Sequence, residues 1–319
     1  MSKSNRNSPR RSRASESTFS FFEFDRMFPD DETCLAWLVA HLYPDGIWCK
    51  VCQKVTTHYR IKSRPSFSCG VCGHHEHPMR GTIFEDSATS LKLWFHAVYL
   101  MSSTRCGISA KQLERELGVT YKTAWRIFHK IRSMLGQDLT YFEGSVEADE
   151  AYLGGEGRWR SKPAAKGTTG RGTVKTPVFG LAQRGSNGSG SRVYARVVPD
   201  TGQRTLMGQM KQRVLPQSMI YTDEWNVYRG KGGVASQGYT HKRINHKQGV
   251  YVDGDAHTNT IEGFWSLVKS GIRGAYHGVS AKHLQAYLDE YVFRYNHRDS
   301  PAGMFWAMLS RIEKVLDSA

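Results

Sequence analysis

The sequence predicts an α/β protein with a mixed sheet, preceded by two small modules, and three observations carry that prediction. Two Cys-x-x-Cys pairs stand close together near the start, Cys49–Cys52 and Cys69–Cys72. A helical pattern broken by one glycine runs from Ile108 to Arg132. From Gly144 onward, short β-type runs are mixed with amphipathic helical ones, a pattern that belongs to sheets covered by helices.

Composition sets the outer bounds. The 319 residues suffice for two domains, and 39% hydrophobic content favours a folded chain. The net charge of +15 points to a polyanionic partner, because cationic side chains gain free energy by releasing phosphate counterions. A cationic surface also serves solubility, so charge alone does not decide. No uninterrupted apolar run reaches membrane-spanning length, and the nearest, Leu91–Met101, carries Lys92 and His96. The basic start lacks an apolar segment behind it, so no secretory signal is read and a cytoplasmic, nucleoid-associated location is expected.

Taken in order, residues 1–28 are expected to be a basic disordered tail, either solubilising or DNA-grasping. The first module spans 29–85. It starts with a short helix that has Asp30, Asp31 and Glu32 in its first turn and Leu35, Leu38, Val39 and Leu42 on one face. The two cysteine pairs follow, with sixteen residues between them, which is the spacing of a tetrahedral structural zinc site of the ribbon type. Cys49, Cys52, Cys69 and Cys72 are the predicted ligands, and the stretch between the pairs can form a hairpin. Two disulfides would be the rival pairing, but Cys34 and Cys106 fall outside the pattern and nothing marks secretion.

The second module, 86–140, reads as helix, turn, helix. Ser109 can cap the first helix, Gly118 breaks it and Thr120 can cap the second. Ala124, Phe128, Ile131 and Leu135 form the expected buried stripe, leaving Tyr121, Lys122, Arg126, His129 and Lys130 outward. That face suits the major groove, with Tyr121, Lys122, Arg126 and Lys130 as the candidate DNA contacts. An ordinary helical pair with a solvated basic side reads the same way.

The third region, 144–315, carries strand-like runs at 146–153, 178–183, 193–198 and 219–222, with helical ones at 205–215, 258–271 and 281–298. Between the first two strands, Glu156–Lys175 is glycine-rich and basic, either a phosphate-touching loop or a solvated one. Three carboxylates stand out here. Asp149 lies in a strand among Val146, Ala148 and Ala151, where an uncompensated charge is expensive. Asp223 closes a strand, where α/β ligands gather. Glu262 lies on a helix, sharing one face with Asn259, Ser266 and Lys269, while Ile261, Phe264, Trp265 and Val268 face a sheet. A few converging carboxylates can hold the two metal ions used in phosphodiester chemistry. Glu147, Glu150, Glu224, Asp253 and Asp255 are competing acids that spacing does not exclude.

Five blocks together resemble a known family: Asp45-Gly-x-x-Cys-x-x-Cys52, Asp149-Glu-Ala-Tyr-Leu-Gly-Gly155, Tyr221-Thr-Asp-Glu-Trp225, His257–Trp265 and Phe293-Arg-Tyr-Asn-His-Arg298. They resemble insertion-sequence transposases related to the eukaryotic Merlin elements, which carry an N-terminal zinc ribbon and a DDE-type catalytic domain of RNase H-like fold. The resemblance implies an enzyme that binds terminal inverted repeats and performs metal-dependent cleavage and strand transfer. Its partners are transposon-end and target DNA, it acts as a homo-oligomer when synapsed, and no membrane is involved. It implies Mg (or Mn) on Asp149, Asp223 and Glu262, with Lys269 near the transposon end. Some relatives use Asn as third catalytic residue, so Asn259 competes with Glu262, whose charge favours it. A domesticated DNA-binding regulator and a structure-specific nuclease are the rival functions.

Overall fold

The computed structural model describes residues 19–104, 106–136, 141–154, 175–185, 190–244, 258–300 and 303–314. The chain divides into two units, and the first is discontinuous: it takes residues up to 104, then 110–134, and finally the stretch from 298 onward.

The first unit begins with helices α1 (Phe21–Met27) and α2 (Asp31–Leu42). The disordered tail expected over 1–28 therefore stops short: Ser20 and Glu23 form a reciprocal capping box, and Phe24 is fully buried against Phe28, His96 and Tyr99. Residues 1–18 lie outside the described residues. Asp30 caps α2 by accepting from the Thr33 backbone N–H at 2.8 Å.

Short strands β1 (Trp48–Cys49) and β2 (Lys54–Val55) pair antiparallel, followed by an antiparallel set of β3 (His58–Ile61), β4 (Ser66–Cys69) and β5 (His75–Glu76). The hairpin expected between the cysteine pairs is β3–β4. Helix α3 (Leu91–Ser103) buries Leu91, Trp94, Phe95, Val98 and Met101, so the most apolar run of the chain is a core helix. Among the described residues no helix is long and apolar enough to cross a membrane. Helices α4 (Ala110–Leu117) and α5 (Tyr121–Met134) follow, joined by a turn in which Gly118 adopts φ +63°, the left-handed region that favours glycine. The Thr120 hydroxyl accepts from the Thr123 N–H at 3.3 Å and so starts α5 as expected.

The second unit, from 135 to 297 with the short segment 105–109, holds the mixed sheet. Its strands are β6 (Ser145–Leu153), β7 (Thr176–Gln183), β8 (Arg192–Val197), β9 (Met219–Asp223) and β10 (Thr240–Ile244). Among the described residues they lie in the order β10-β9-β6-β7-β8; β6, β7 and β8 are antiparallel neighbours, while β9 runs parallel to both β6 and β10. Helix α6 (Gln203–Arg213) covers one face together with Val146, Ala148, Phe179, Leu181 and Ile220. Helices α7 (Asn259–Gly274) and α8 (Ala281–Asn296) cover the other with Ala151, Leu153, Val178 and Ala182. Alternate residues of β6 thus serve opposite cores, the period-two signature that made the strand readable.

The C-terminal end corrects the boundary at 315. Helix α9 (Gly303–Leu309) belongs to the first unit, where Phe305 stacks on Phe19 at 4.7 Å and His41 bonds the Ile312 carbonyl at 2.9 Å. Phe305, Met308, Leu309 and Ile312 are apolar and nearly fully buried there, which is why the chain returns.

Candidate functional site

The cysteine site is built by two tight turns. Cys49 ends β1 and Cys69 ends β4, and each pair's second cysteine follows in the turn. All six cysteines are free thiols, so the disulfide reading is gone. The four sulfurs lie within 4.8 Å of one another, with Cys49–Cys72 at 3.5 Å and Cys52–Cys69 at 3.9 Å. A tetrahedral zinc–thiolate site requires sulfur–sulfur edges of roughly 3.8 Å, so this spacing fits the ion. Backbone N–H groups of Cys52 and Val71 point at Cys49 and Cys69 sulfur, each at 3.5 Å. The Thr56 hydroxyl, 3.1 Å from Cys69 sulfur, is the main cause of that thiol's drop to about 5. Its neighbour Cys52 is pushed up to about 12, chiefly by hydrogen bonding to Cys72. A bound divalent ion relieves this competition among the sulfurs.

On α5, Tyr121 and Lys122 are exposed, as is Trp125, which the amphipathic pattern did not single out and whose ring lies tilted against that of His129 with centroids 3.9 Å apart. Arg126 and Lys130 depart from the outward expectation. Both are half-buried: Arg126 donates to the Ser87 and Thr89 hydroxyls at 3.4 and 3.3 Å, and Lys130 to the Glu85 carbonyl at 3.3 Å. The segment 85–89 lies across that side of the helix, a long-range contact that no helical wheel registers.

The acidic site forms at the carboxyl end of β9. The β6–β9 ladder ends at Glu147↔Tyr221, and two residues further on each strand stand Asp149 and Asp223, on one side of the sheet. The Asp149 carboxyl, partly buried, is pushed up to about 7, first by burial and then by the Glu150 charge, with Asp223 and Glu262 adding to it. Asp223 accepts from the Trp225 N–H at 2.9 Å. Glu262 projects from the first turn of α7, where its Oε1 accepts from the Thr258 hydroxyl at 2.6 Å. Asn259, Glu262, Ser266 and Lys269 are all exposed, while Ile261, Phe264, Trp265 and Val268 are buried on the sheet, as the helical pattern predicted.

The competing acids part ways. Glu150 faces the opposite layer and accepts from the buried Tyr228 hydroxyl at 2.7 Å. Glu147 is completely buried and bonds the start of α7 and Arg184. Asp253 and Asp255 lie outside the described residues, as does the loop 155–174. Among the described residues only the cysteine quartet brings three or more such ligand atoms within 4.8 Å of one another, so Asp149, Asp223 and Glu262 are spread wider than that. Sequence reasoning missed Gly180, the partner of Asp149 in the β6–β7 ladder. A Cβ there would stand 2.3 Å from the Trp265 ring, so glycine is what lets α7 close on the sheet beside the acids.

Residues 29–75 match the transposase zinc-ribbon domain and residues 142–296 the ISXO2-like transposase domain. A protein of the transposable element ISH50 from Halobacterium salinarum is 33% identical over 262 residues, covering 78% of this chain and 85% of its own. A transposase-like protein of Haemophilus influenzae is 29% identical over 108 residues, 34% of this chain and 84% of its own. Two solved structures show a remote likeness. One is a simian T-cell lymphotropic virus intasome in complex with a PP2A regulatory subunit (TM-score 0.31, 14% identity, covering 66% of this chain and 73% of that one). The other is a pre-cleavage Mos1 transpososome (TM-score 0.27, 10% identity, 65% and 75%). At those TM-scores neither bears on the fold. With both domains in order and a relative aligned along most of both chains, the protein belongs to the ISXO2-like transposases that carry an N-terminal zinc ribbon.

Proposed function

We propose that the protein binds the terminal inverted repeats of an insertion sequence and cleaves and joins DNA at an acidic site formed by Asp149, Asp223 and Glu262. The observation that carries this reading is that Asp149 of β6 feels the charges of Asp223 at the end of β9 and of Glu262 in the first turn of α7. Neighbouring carboxylates of this kind suit divalent cations, which phosphodiester chemistry uses in pairs. Mg (or Mn) bound there would activate water, and later a 3′-hydroxyl, and stabilise the oxygen that leaves. Asp149 and Asp223 act as metal ligands and Glu262 as the third, a choice supported by the Glu262 charge that Asp149 feels. Lys269, two turns along the exposed face of α7, offers a cation to a phosphate near the end of the transposon.

An RNase H-like assignment draws support from three antiparallel strands flanked by two strands parallel to the first. For DNA recognition, α4 and α5 act as a helix-turn-helix in which Tyr121 and Lys122 contact the repeat, with Trp125 beside them. Arg126 and Lys130 hold the module together instead. Synapsis of two ends requires a homo-oligomer on DNA. The test is cleavage and joining of terminal-repeat DNA by Asp149→Asn, Asp223→Asn and Glu262→Gln. Each should be inactive yet bind the repeat like the parent. Full activity in either aspartate variant overturns the mechanism, and an active Glu262→Gln beside a dead Asn259→Ala moves the third ligand to Asn259.

A further inference from the structure

Helix α7 has no cap of its own. The Thr258 side chain makes no capping bond and turns to Glu262 instead. The first N–H groups of a helix have no partner within the helix, and an anion placed there gains from the helix dipole. Glu147 of β6 fills that role from another strand. Its Oε2 accepts from the backbone N–H groups of Thr260 and Ile261, both at 2.9 Å, and its Oε1 from the Thr260 hydroxyl at 3.0 Å. Arg184, just past β7, donates Nε to the same Oε1 at 2.8 Å, and its guanidinium lies 3.8 Å over the ring of Tyr221 in β9. One ion pair therefore touches all three elements that carry the acids. Glu147 stands two residues before Asp149, Tyr221 two before Asp223, and Ile261 directly before Glu262.

We propose that Glu147 and Arg184 are positioning residues that set the separation of Asp149, Asp223 and Glu262 without themselves meeting metal or DNA. The proposal rests on those three acids being the metal-binding set. Glu147 is completely buried, which keeps it from any ligand bound at those acids. A buried ion pair stabilises a fold little more than apolar residues of the same size, so the consequence of this one is geometric. Groups that hold metal ligands in place typically govern metal affinity by about 10–100-fold. Glu147→Gln keeps the volume but replaces one acceptor oxygen by an NH2 group. That group must face either the helix N–H donors or Arg184, so one side of the staple is lost.

The experiment is a calorimetric titration of Mn2+ into the full-length, zinc-loaded protein without DNA, with folding checked by circular dichroism. Glu147→Gln should bind Mn2+ about 10–100-fold more weakly than the parent. Thr260→Val, which removes the single 3.0 Å bond, should shift affinity the same way by less. Cleavage by Glu147→Gln should recover at raised Mn2+, whereas Asp149→Asn should stay inactive at every concentration. A folded Glu147→Gln with parental Mn2+ affinity, beside an Asp149→Asn that has lost it, overturns the staple alone. Parental affinity in Asp149→Asn overturns the acidic-site reading as well. If Glu147→Gln does not fold, Arg184→Lys and Thr260→Val decide, and parental Mn2+ affinity in both overturns the proposal.

Discussion

Replacing Asp149 by Asn should make the protein more stable at alkaline pH when no catalytic cation is present. The Asp149 carboxyl rises from 3.8 to about 7, so the folded chain holds its proton more tightly than the unfolded chain does. Its contribution to stability is fully present below about 3.8 and is lost as pH rises through about 7. A shift of about three units corresponds to about 4 kcal/mol once both forms are ionised. Asn stays neutral throughout, so the gap between variant and parent should be near zero at pH 4 and about 3–4 kcal/mol at pH 8. For a domain of this size that is roughly 6–15 °C in melting temperature. Thermal melts across this pH range, with ribbon zinc retained and Mg and Mn omitted, read the gap directly. A difference that does not grow with pH, or an Asn variant less stable than the parent at pH 8, refutes the argument that burial and neighbouring acids strain this carboxyl.

Other outcomes follow from sites already described. Metal analysis should find one zinc per chain on Cys49, Cys52, Cys69 and Cys72, and a strong chelator should unfold the ribbon, because metal binding supplies its folding free energy. Lys122→Ala should weaken binding to the terminal repeat and reduce the salt slope by about 0.9, with melting temperature unchanged. Arg126→Ala should lower the melting temperature instead, since the arginine holds Ser87 and Thr89; equal melts for the two variants would contradict this division. Gly180→Ala should cost about 1–3 kcal/mol, read by denaturant unfolding, because its Cβ meets the Trp265 ring at 2.3 Å.

Much of the mixed-sheet unit could be read from residue order. The alternation of Val146, Ala148 and Ala151 marked β6, and the buried stripe of α7 was visible at helical spacing. Strand β10, Thr240-His-Lys-Arg-Ile244, was not, because an edge strand with charged side chains carries no apolar alternation. Helix α1 stood behind a basic run, although its Ser20-x-x-Glu23 capping box was a local signal that could have found it. Glu147 and Asp149 lie on the same side of one strand, so spacing could not tell scaffold from site. What separates them is the start of α7, more than a hundred residues away in sequence. The same limit hid the inward turn of Arg126 and Lys130, which depends on residues 85–89.

The return of the C-terminal segment to the first unit has a consequence for biosynthesis. Phe305, Met308, Leu309 and Ile312 complete a core whose other side chains are translated some two hundred residues earlier. The ribosome therefore releases every residue of the mixed sheet before the zinc-ribbon unit has its last helix. Its aromatic surface around Phe24, Phe28 and Tyr99 must wait, exposed, while the rest of the chain is made. A nascent chain stalled or truncated before Gly303 would carry a complete mixed sheet beside an unfinished zinc-ribbon unit.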